Sequence, residues 1–242
     1  LNLRFMQICN GKGQAVIEKC SGNIQDICET IYNDTENFPM PEDVYLGMDI
    51  IEHAYNYFKE NGSSLSSENE DIRKKTLTDF ALPKNIAGLE RDLAKYRITY
   101  DNWFKESTLH NDGSVNEIIQ KLKASGYTYE QDGALWFKSS QLGDEKDRVL
   151  IRANGVVTYF VPDIAYHYNK LVTRGYDKAI DIFGADHHGY IPRMKAALTA
   201  LGVDANKLDI VIMQMVNLVR NGEKYKLSNC LLYTSDAADE ED

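Results

Sequence analysis

The chain has 242 residues, with 27 Lys and Arg against 37 Asp and Glu, so its formal net charge is −10. That balance argues against non-specific nucleic-acid binding through overall charge, while 43% hydrophobic and 26% charged residues with only 5 Pro describe a chain able to bury a core. No apolar run approaches the roughly 20 residues of a membrane-spanning helix, and no basic-then-apolar leader opens the chain. Cys9, Cys20, Cys28 and Cys230 form no C-x-x-C pair, so the expectation is reduced thiols in a soluble, cytoplasmic protein.

Taken in order, the chain opens mid-pattern at Leu1 to Met6, which suggests a fragment of a longer protein. Gly11-Lys12-Gly13 lacks the third glycine of a phosphate fingerprint and reads as a loop. After Pro41-Glu42-Asp43, apolar residues Met48, Ile51, Ala54, Tyr55 and Phe58 recur at helical steps until Asn61-Gly62 ends the helix. Two further amphipathic stretches, about 72–82 and 86–96, complete a helical region. Ser114-Val-Asn-Glu117 has the form of a capping box opening a helix from Val115 to Ser125, closed by Gly126. Asp132-Gly133 and Asn154-Gly155, each flanked by apolar runs, predict two β-hairpins, the second pairing 149–151 with 156–160.

From Pro162 the order becomes helix, strand, helix, strand. Pro162 suits the first turn of a helix from Asp163 to about Val172, ended by Gly175. Lys178 to Phe183 reads as an apolar strand, Ile191 to Ala200 as a helix closed by Gly202, and Leu208 to Met213 as a second buried strand. Strands separated by one helix make a βαβ unit in a parallel sheet, and ligands of such sheets bind at the carboxyl ends of the strands.

That rule singles out Gly184-Ala-Asp-His-His-Gly-Tyr190. Gly184 would allow close backbone approach, Asp186 could accept from ribose hydroxyls, and the helix that follows favours an anion at its start; the competing reading is a helix start with two half-exposed histidines. Adjacent His187 and His188 cannot both face one ion on a helix, so a zinc site is not expected. Asp163, where a strand is expected to give way to a helix, reads either as a helix-start carboxylate or as a pocket anion beside the Tyr159 hydroxyl, suited to a guanidinium or an ammonium.

Three ordered blocks, Tyr159-Phe-Val-Pro-Asp163-Ile-Ala-Tyr-His167, Phe183-Gly-Ala-Asp-His-His-Gly-Tyr-Ile-Pro-Arg193, and Met213 to Glu223 followed by Lys226-Leu-Ser228, resemble consecutive parts of the bacterial class I arginyl-tRNA synthetases. Tyr129 to Phe137 and Asp147 to Arg152 fit the same family. The resemblance runs from about Pro39 to Ser228 and implies an α/β fold: a Rossmann-type parallel-sheet catalytic domain, partial here, with a helical and β-hairpin insertion. It implies a catalytic-domain segment with the insertion over 1–155, the second half of the Rossmann domain over 156–229, and a non-native tail over 230–242.

Carried over by position, the resemblance makes Tyr159, Asp163 and His187 the arginine-binding residues. Gly184, Asp186, His188, Met215 and Lys226 would bind ATP, and Lys226 and Ser228 would begin a catalytic signature loop. It implies ATP with Mg²⁺ as substrate, no zinc or other tightly bound cofactor and no metal-ligating residue. The expected partners are tRNA(Arg), arginine and ATP, without a membrane, in a full-length enzyme that is a monomer.

Two departures matter. No His of this chain lies in the family's H-I-G-H signature, and Asn229 stands where the second signature's catalytic lysine belongs. The chain alone is therefore expected to be inactive, and measurable arginine-dependent ATP–pyrophosphate exchange would refute that. Cys230 to Glu240 resembles translated sequencing adapter, and residues 230–242 hold five acids and no base, half of the formal net charge. What remains is compatible with tRNA. Two rival readings are a non-catalytic synthetase paralogue binding RNA or a protein partner, and another nucleotidyl transferase on the same fold.

Overall fold

A computed structural model describes residues 1–20, 22–42, 44–214, 218–220 and 223–225. The described residues divide into two compact units, one over residues 1–101 grouped with 219–220 and 223–225, the other over 102–214 with Leu218.

The first unit is helical. It contains α1 (Asn2–Cys9), α2 (Gly11–Glu18), α3 (Ile24–Asn33), α4 (Met48–Asn61) and α5 (Glu70–Lys95). Phe5, Ile8, Ile27, Cys28, Ile31, Ile51, Ala54, Leu65 and Leu77 form its core. Gln7 is buried among them, and its amide nitrogen donates to the Ile31 carbonyl at 2.9 Å, so α1 is tied to α3 by a polar bond as well as by packing. Burial pushes the Cys9 and Cys28 thiols up to about 11, the Glu52 charge adding to it for Cys28, which leaves both inert at neutral pH.

Two expectations for this unit are corrected. Gly11-Lys12-Gly13 is not a loop but the first turn of α2, with the Asn10 side chain accepting from the Lys12 amide at 3.2 Å. The glycine at 13 is a packing requirement, since a Cβ there would sit 2.0 Å from the Gln7 carbonyl oxygen. The two stretches expected at 72–82 and 86–96 are one 26-residue helix, α5, running through Pro83. Pro83 and Asp79 are both exposed, so the Asp79 carbonyl deprived of its amide partner can turn to water, which lowers the cost of a mid-helix proline.

The second unit is mixed α/β. It contains α6 (Glu106–Asn111), α7 (Ser114–Ala124), β1 (Thr128–Gln131), β2 (Ala134–Phe137), β3 (Arg148–Ile151), α8 (Phe160–Tyr168), β4 (Ala179–Gly184), α9 (Tyr190–Ala200) and β5 (Leu208–Met213). A short pair, β6 (Leu218–Arg220) and β7 (Glu223–Tyr225), follows in the chain, grouped from Val219 onward with the first unit. β1, β2 and β3 form an antiparallel meander, and the expected turn at Asp132-Gly133 is present, with φ of 51° and 76° placing both residues in the left-handed region that a two-residue hairpin needs.

The second expected hairpin is only partly formed. Ile151 bridges Val157, but Val156 to Phe160 is not a strand. The Thr158 hydroxyl turns back onto the Val149 and Leu150 carbonyls, and Phe160 is already the first residue of α8, one turn earlier than the expected start. Pro162 lies within that first turn, where its missing N–H costs nothing. The helix then widens into a π-turn over Asn169–Thr173, closed by the Arg174 amide donating to the Asn169 carbonyl at 2.8 Å.

The capping box at Ser114 is also absent. Gly113 is the N-cap, the Asp112 carboxylate accepts from the Ser114 amide at 2.8 Å, and Glu117 pairs with Lys121 instead. The Glu117 amide, which a capping serine would bind, donates to the Gly113 carbonyl at 3.0 Å, so Ser114 is the first residue of α7 and not its cap.

β4 and β5 pair in parallel from Ala179 opposite Leu208 to Gly184 opposite Met213, with α9 as the crossover, as expected. Their apolar runs led to the expectation of strands buried throughout, yet exposure alternates along both. Ala179 and Leu208 are buried, whereas Ile180, Ile182, Val211 and Met213 are exposed. Among the described residues α8 and α9 cover one face, where Val161, Ile164, Ala165, Met194, Ala197 and Leu198 meet the strands in the core of the unit.

The meander is pinned by Asp144, which accepts from Arg148 Nε at 2.7 Å and Nη2 at 2.8 Å. Burial opposes the Asp144 charge, but the bonds from Arg148, Ser139 and the Glu145 amide outweigh it and hold the carboxyl below its usual range. Arg148→Lys keeps the charge and loses the two-pronged geometry. It should cost about 1–3 kcal/mol, read as a lowered urea midpoint; an unchanged midpoint would show that a point charge suffices there.

Candidate functional site

The described residues singled out from the sequence gather at the carboxyl end of β4 and the start of α8. Asp163 sits in the first turn of α8, and its carboxylate accepts a hydrogen bond from the Tyr190 hydroxyl. Tyr190 begins α9, so this one contact joins two helices that flank the strand end. Burial pushes the Asp163 carboxyl up, while the Tyr190 bond and the charge of His167 pull it down and the charges of Glu106 and Asp181 push it up further. Burial and the bond to Asp163 likewise push the Tyr190 hydroxyl up, so it stays a donor.

His187 stands against the same tyrosine. Its ring lies 6.3 Å from the Tyr190 ring and 5.4 Å from Phe183, and Phe183 meets Tyr190 edge-on at 6.0 Å. Arg193 lies 5.3 Å from the Tyr190 ring centre, a cation over an aromatic face. Asp163 and His187 are therefore joined through Tyr190, which the sequence reading quoted in its motif without giving it a role. A carboxylate held on one oxygen by a neutral donor, in a half-buried site walled by rings, can offer its other oxygen to a flat cationic group.

Tyr159 is placed differently. It is the N-cap residue of α8 and is 80% exposed, and the hydroxyl that meets Asp163 belongs to Tyr190. Its link to Asp163 is the main chain, the Asp163 amide donating to the Tyr159 carbonyl at 3.3 Å.

Gly184 ends β4, and Asp186 and His188 lie in the exposed loop that leads from it to α9. The Asp186 side chain is 79% exposed and its carboxylate stands 3.5 Å from His187 Nε2. A Cβ at Gly184 would fall 2.6 Å from Asp186 Oδ1, so any side chain there would displace that carboxylate. Met215, Lys226 and Ser228 lie outside the described residues. Among the described residues no three His, Cys, Asp or Glu side chains converge on a point where they could hold a metal ion, and no helix is long and apolar enough to cross a membrane.

Behind the site is a buried polar cluster that sequence reasoning missed. His167, 4% exposed, lies between the Asp163 carbonyl and the Asp181 carboxylate, and Lys170 Nζ reaches the other Asp181 oxygen at 2.7 Å. Burial disfavours the Asp181 charge, but the bonds and charges of His167 and Lys170 prevail and hold its carboxyl below the usual range. The available signals were a lone Asp between Ile180 and Ile182 in an apolar strand, and a His one turn after Asp163.

Comparison with known proteins agrees with this architecture. The family model described as tRNA synthetases class I (R), catalytic domain, matches residues 12–231. An arginine–tRNA ligase of Acetivibrio thermocellus is 51% identical over 188 residues, 78% of this chain and 33% of that protein. One from Ruminiclostridium cellulolyticum is 46% identical over 212 residues, 88% of this chain and 38% of that protein. The chain thus spans about a third of the length of the curated relatives it matches. A Campylobacter jejuni crystal structure, provisionally named an arginyl-tRNA synthetase, is 38% identical and superposes with a TM-score of 0.72 over 95% of this chain and 47% of its own. With its strand-end site on an α/β unit and a match along nearly all its length, the chain belongs to the class I (R) tRNA synthetase catalytic-domain family.

Proposed function

We propose that the protein to which this chain belongs is an arginine–tRNA ligase, activating arginine with ATP and transferring it to tRNA(Arg) in the cytoplasm. The observation that carries the reading is Asp163: a half-buried carboxylate gripped by Tyr190 at the end of a parallel-sheet unit, with one oxygen left to oppose a guanidinium. Arginine lies with its side chain toward Asp163, beside His187 and with Tyr159 at the rim. Its carboxylate attacks the α-phosphorus of ATP and pyrophosphate leaves. Gly184, Asp186 and His188 border the nucleotide, with Met215, Lys226 and Ser228 contributing from further along the chain, and magnesium enters with ATP as part of the substrate. Two anionic reactants meet in that step, so alignment and charge neutralisation supply most of the rate.

Binding is testable on the chain itself. Citrulline has arginine's shape without its charge, and losing a charge-assisted bond to a half-buried carboxylate costs about 1.5–3 kcal/mol, a factor of roughly 10 to 150. Calorimetric titration should therefore give arginine at least tenfold tighter than citrulline. Equal affinities would remove the guanidinium from Asp163.

A further inference from the structure

His167 is flanked by oxygen on both sides. Its Nδ1 lies 2.7 Å from the main-chain oxygen of Asp163 and its Nε2 2.5 Å from Asp181 Oδ2. A carbonyl oxygen can only accept, and so can an ionised carboxylate. A neutral imidazole has one N–H and would press its bare nitrogen against one of the two oxygens. Asp181 resolves the choice, because its second oxygen accepts from the Lys170 ammonium at 2.7 Å, a neighbour that favours the ionised carboxylate. Both ring nitrogens must then carry protons.

We propose that His167 is a positioning residue, held as an imidazolium by Asp181 and Lys170, whose second N–H pins the main chain of Asp163 and so aims the Asp163 carboxylate at a cationic ligand. The purpose assigned to that aim rests on the reading of Asp163 as the guanidinium partner. The geometry of the network stands apart from it. Asp181 comes from β4, Lys170 from the π-turn after α8, and Asp163 from the start of α8, so one ring ties the strand to the helix that carries the site.

The network also acts through charge. His167 and Lys170 are two cations against the single anion of Asp181, leaving one net positive charge a helical turn from Asp163. That excess favours the ionised form of a carboxyl that burial pushes toward the neutral one. Other charged groups around α8 are Glu106 on α6, which opposes the effect, Lys121 on α7, which lies over the Tyr168 ring, and Arg193 on α9, which lies over Phe160 and Tyr190.

The experiment is nuclear magnetic resonance on the 242-residue chain without arginine. Imidazole ¹⁵N–¹H spectra at neutral pH should show protons on both ring nitrogens of His167. In His167→Gln, which keeps a donor but loses the charge, the Asp163 carboxyl ¹³C titration should move up by as much as about one pH unit. A singly protonated ring in the unsubstituted chain overturns the inference, as does an unmoved Asp163 midpoint in folded His167→Gln; the ring spectrum decides alone where that variant does not fold. A doubly protonated ring in a chain that fails to bind arginine removes the ligand assigned to Asp163 and leaves the network as described.

Discussion

Asp163→Asn should weaken arginine binding by about 2–5 kcal/mol, or roughly 30- to 4,000-fold, while leaving the fold intact. The substitution keeps the volume and a partner for the Tyr190 hydroxyl and removes only the charge that opposes the guanidinium. Its effect on stability has the opposite sign. The folded-state pKa of Asp163 lies above its unfolded value, so the stability tied to this group is fully present below the ordinary carboxylate range and is lost as pH rises through the folded value. At neutral pH the native protein carries an ionised, half-buried carboxylate that asparagine does not. Urea midpoints of the variant should therefore equal or exceed those of the native chain at pH 7, with the advantage vanishing in acid. Calorimetric titration checks the binding, and an unchanged arginine affinity would take Asp163 out of the pocket.

Asp181→Ala should be the most destabilising single change in this region, at about 3–5 kcal/mol. It leaves the His167 ring and the Lys170 ammonium buried against each other with no counter-charge, since the Asp181 side chain is 11% exposed and accepts from both. The pH dependence runs the other way from that of Asp163. A depressed carboxyl contributes stability that is present above its unfolded pKa and lost as pH falls through its folded one. The native chain should thus lose this increment in acid, below the usual carboxylate range, and the variant should lack it at every pH. Urea unfolding across that range measures both, and a variant within 1 kcal/mol of the native chain would mean that the cluster is solvated in solution.

The two substitutions separate the parts of one device. On the proposed reading Asp163 is a site residue whose charge costs stability and would serve binding, whereas Asp181 is a support whose charge stabilises the strand and helix beneath it. A polar cluster of this kind is weak evidence for stability in general, because well-packed apolar residues of the same volume often do as well. What it provides next to Asp163 is orientation, which an apolar replacement could not.

Much of the second unit was legible from the chain. Asp132-Gly133 demanded a two-residue hairpin because only such pairs tolerate two left-handed residues, and the hairpin is there. The order of strand, helix and strand from Ala179 to Met213 predicted parallel pairing, and Ala179 does stand opposite Leu208. Where local rules competed with packing, packing prevailed. Gly11-Lys12-Gly13 lost its loop character because α1 needs a side-chain-free neighbour at Gln7. Ser114 lost its capping role because α7 begins at Ser114 itself, whose own amide is taken by the Asp112 carboxylate.

The family, the parallel unit and the candidate positions Asp163 and Gly184 to Tyr190 could be read along the chain, because ordered motifs, glycine positions and apolar runs are local properties. What each candidate touches follows from the packing of distant segments. Tyr190 meets Asp163 across 27 positions, and Asp181 meets His167 across 14. No periodicity carries such pairings, since they depend on how α8, α9 and β4 close on one another when the apolar face between them is buried. That burial also raises the energetic weight of every charge it encloses, and so turns a histidine one turn after an aspartate into a support for it.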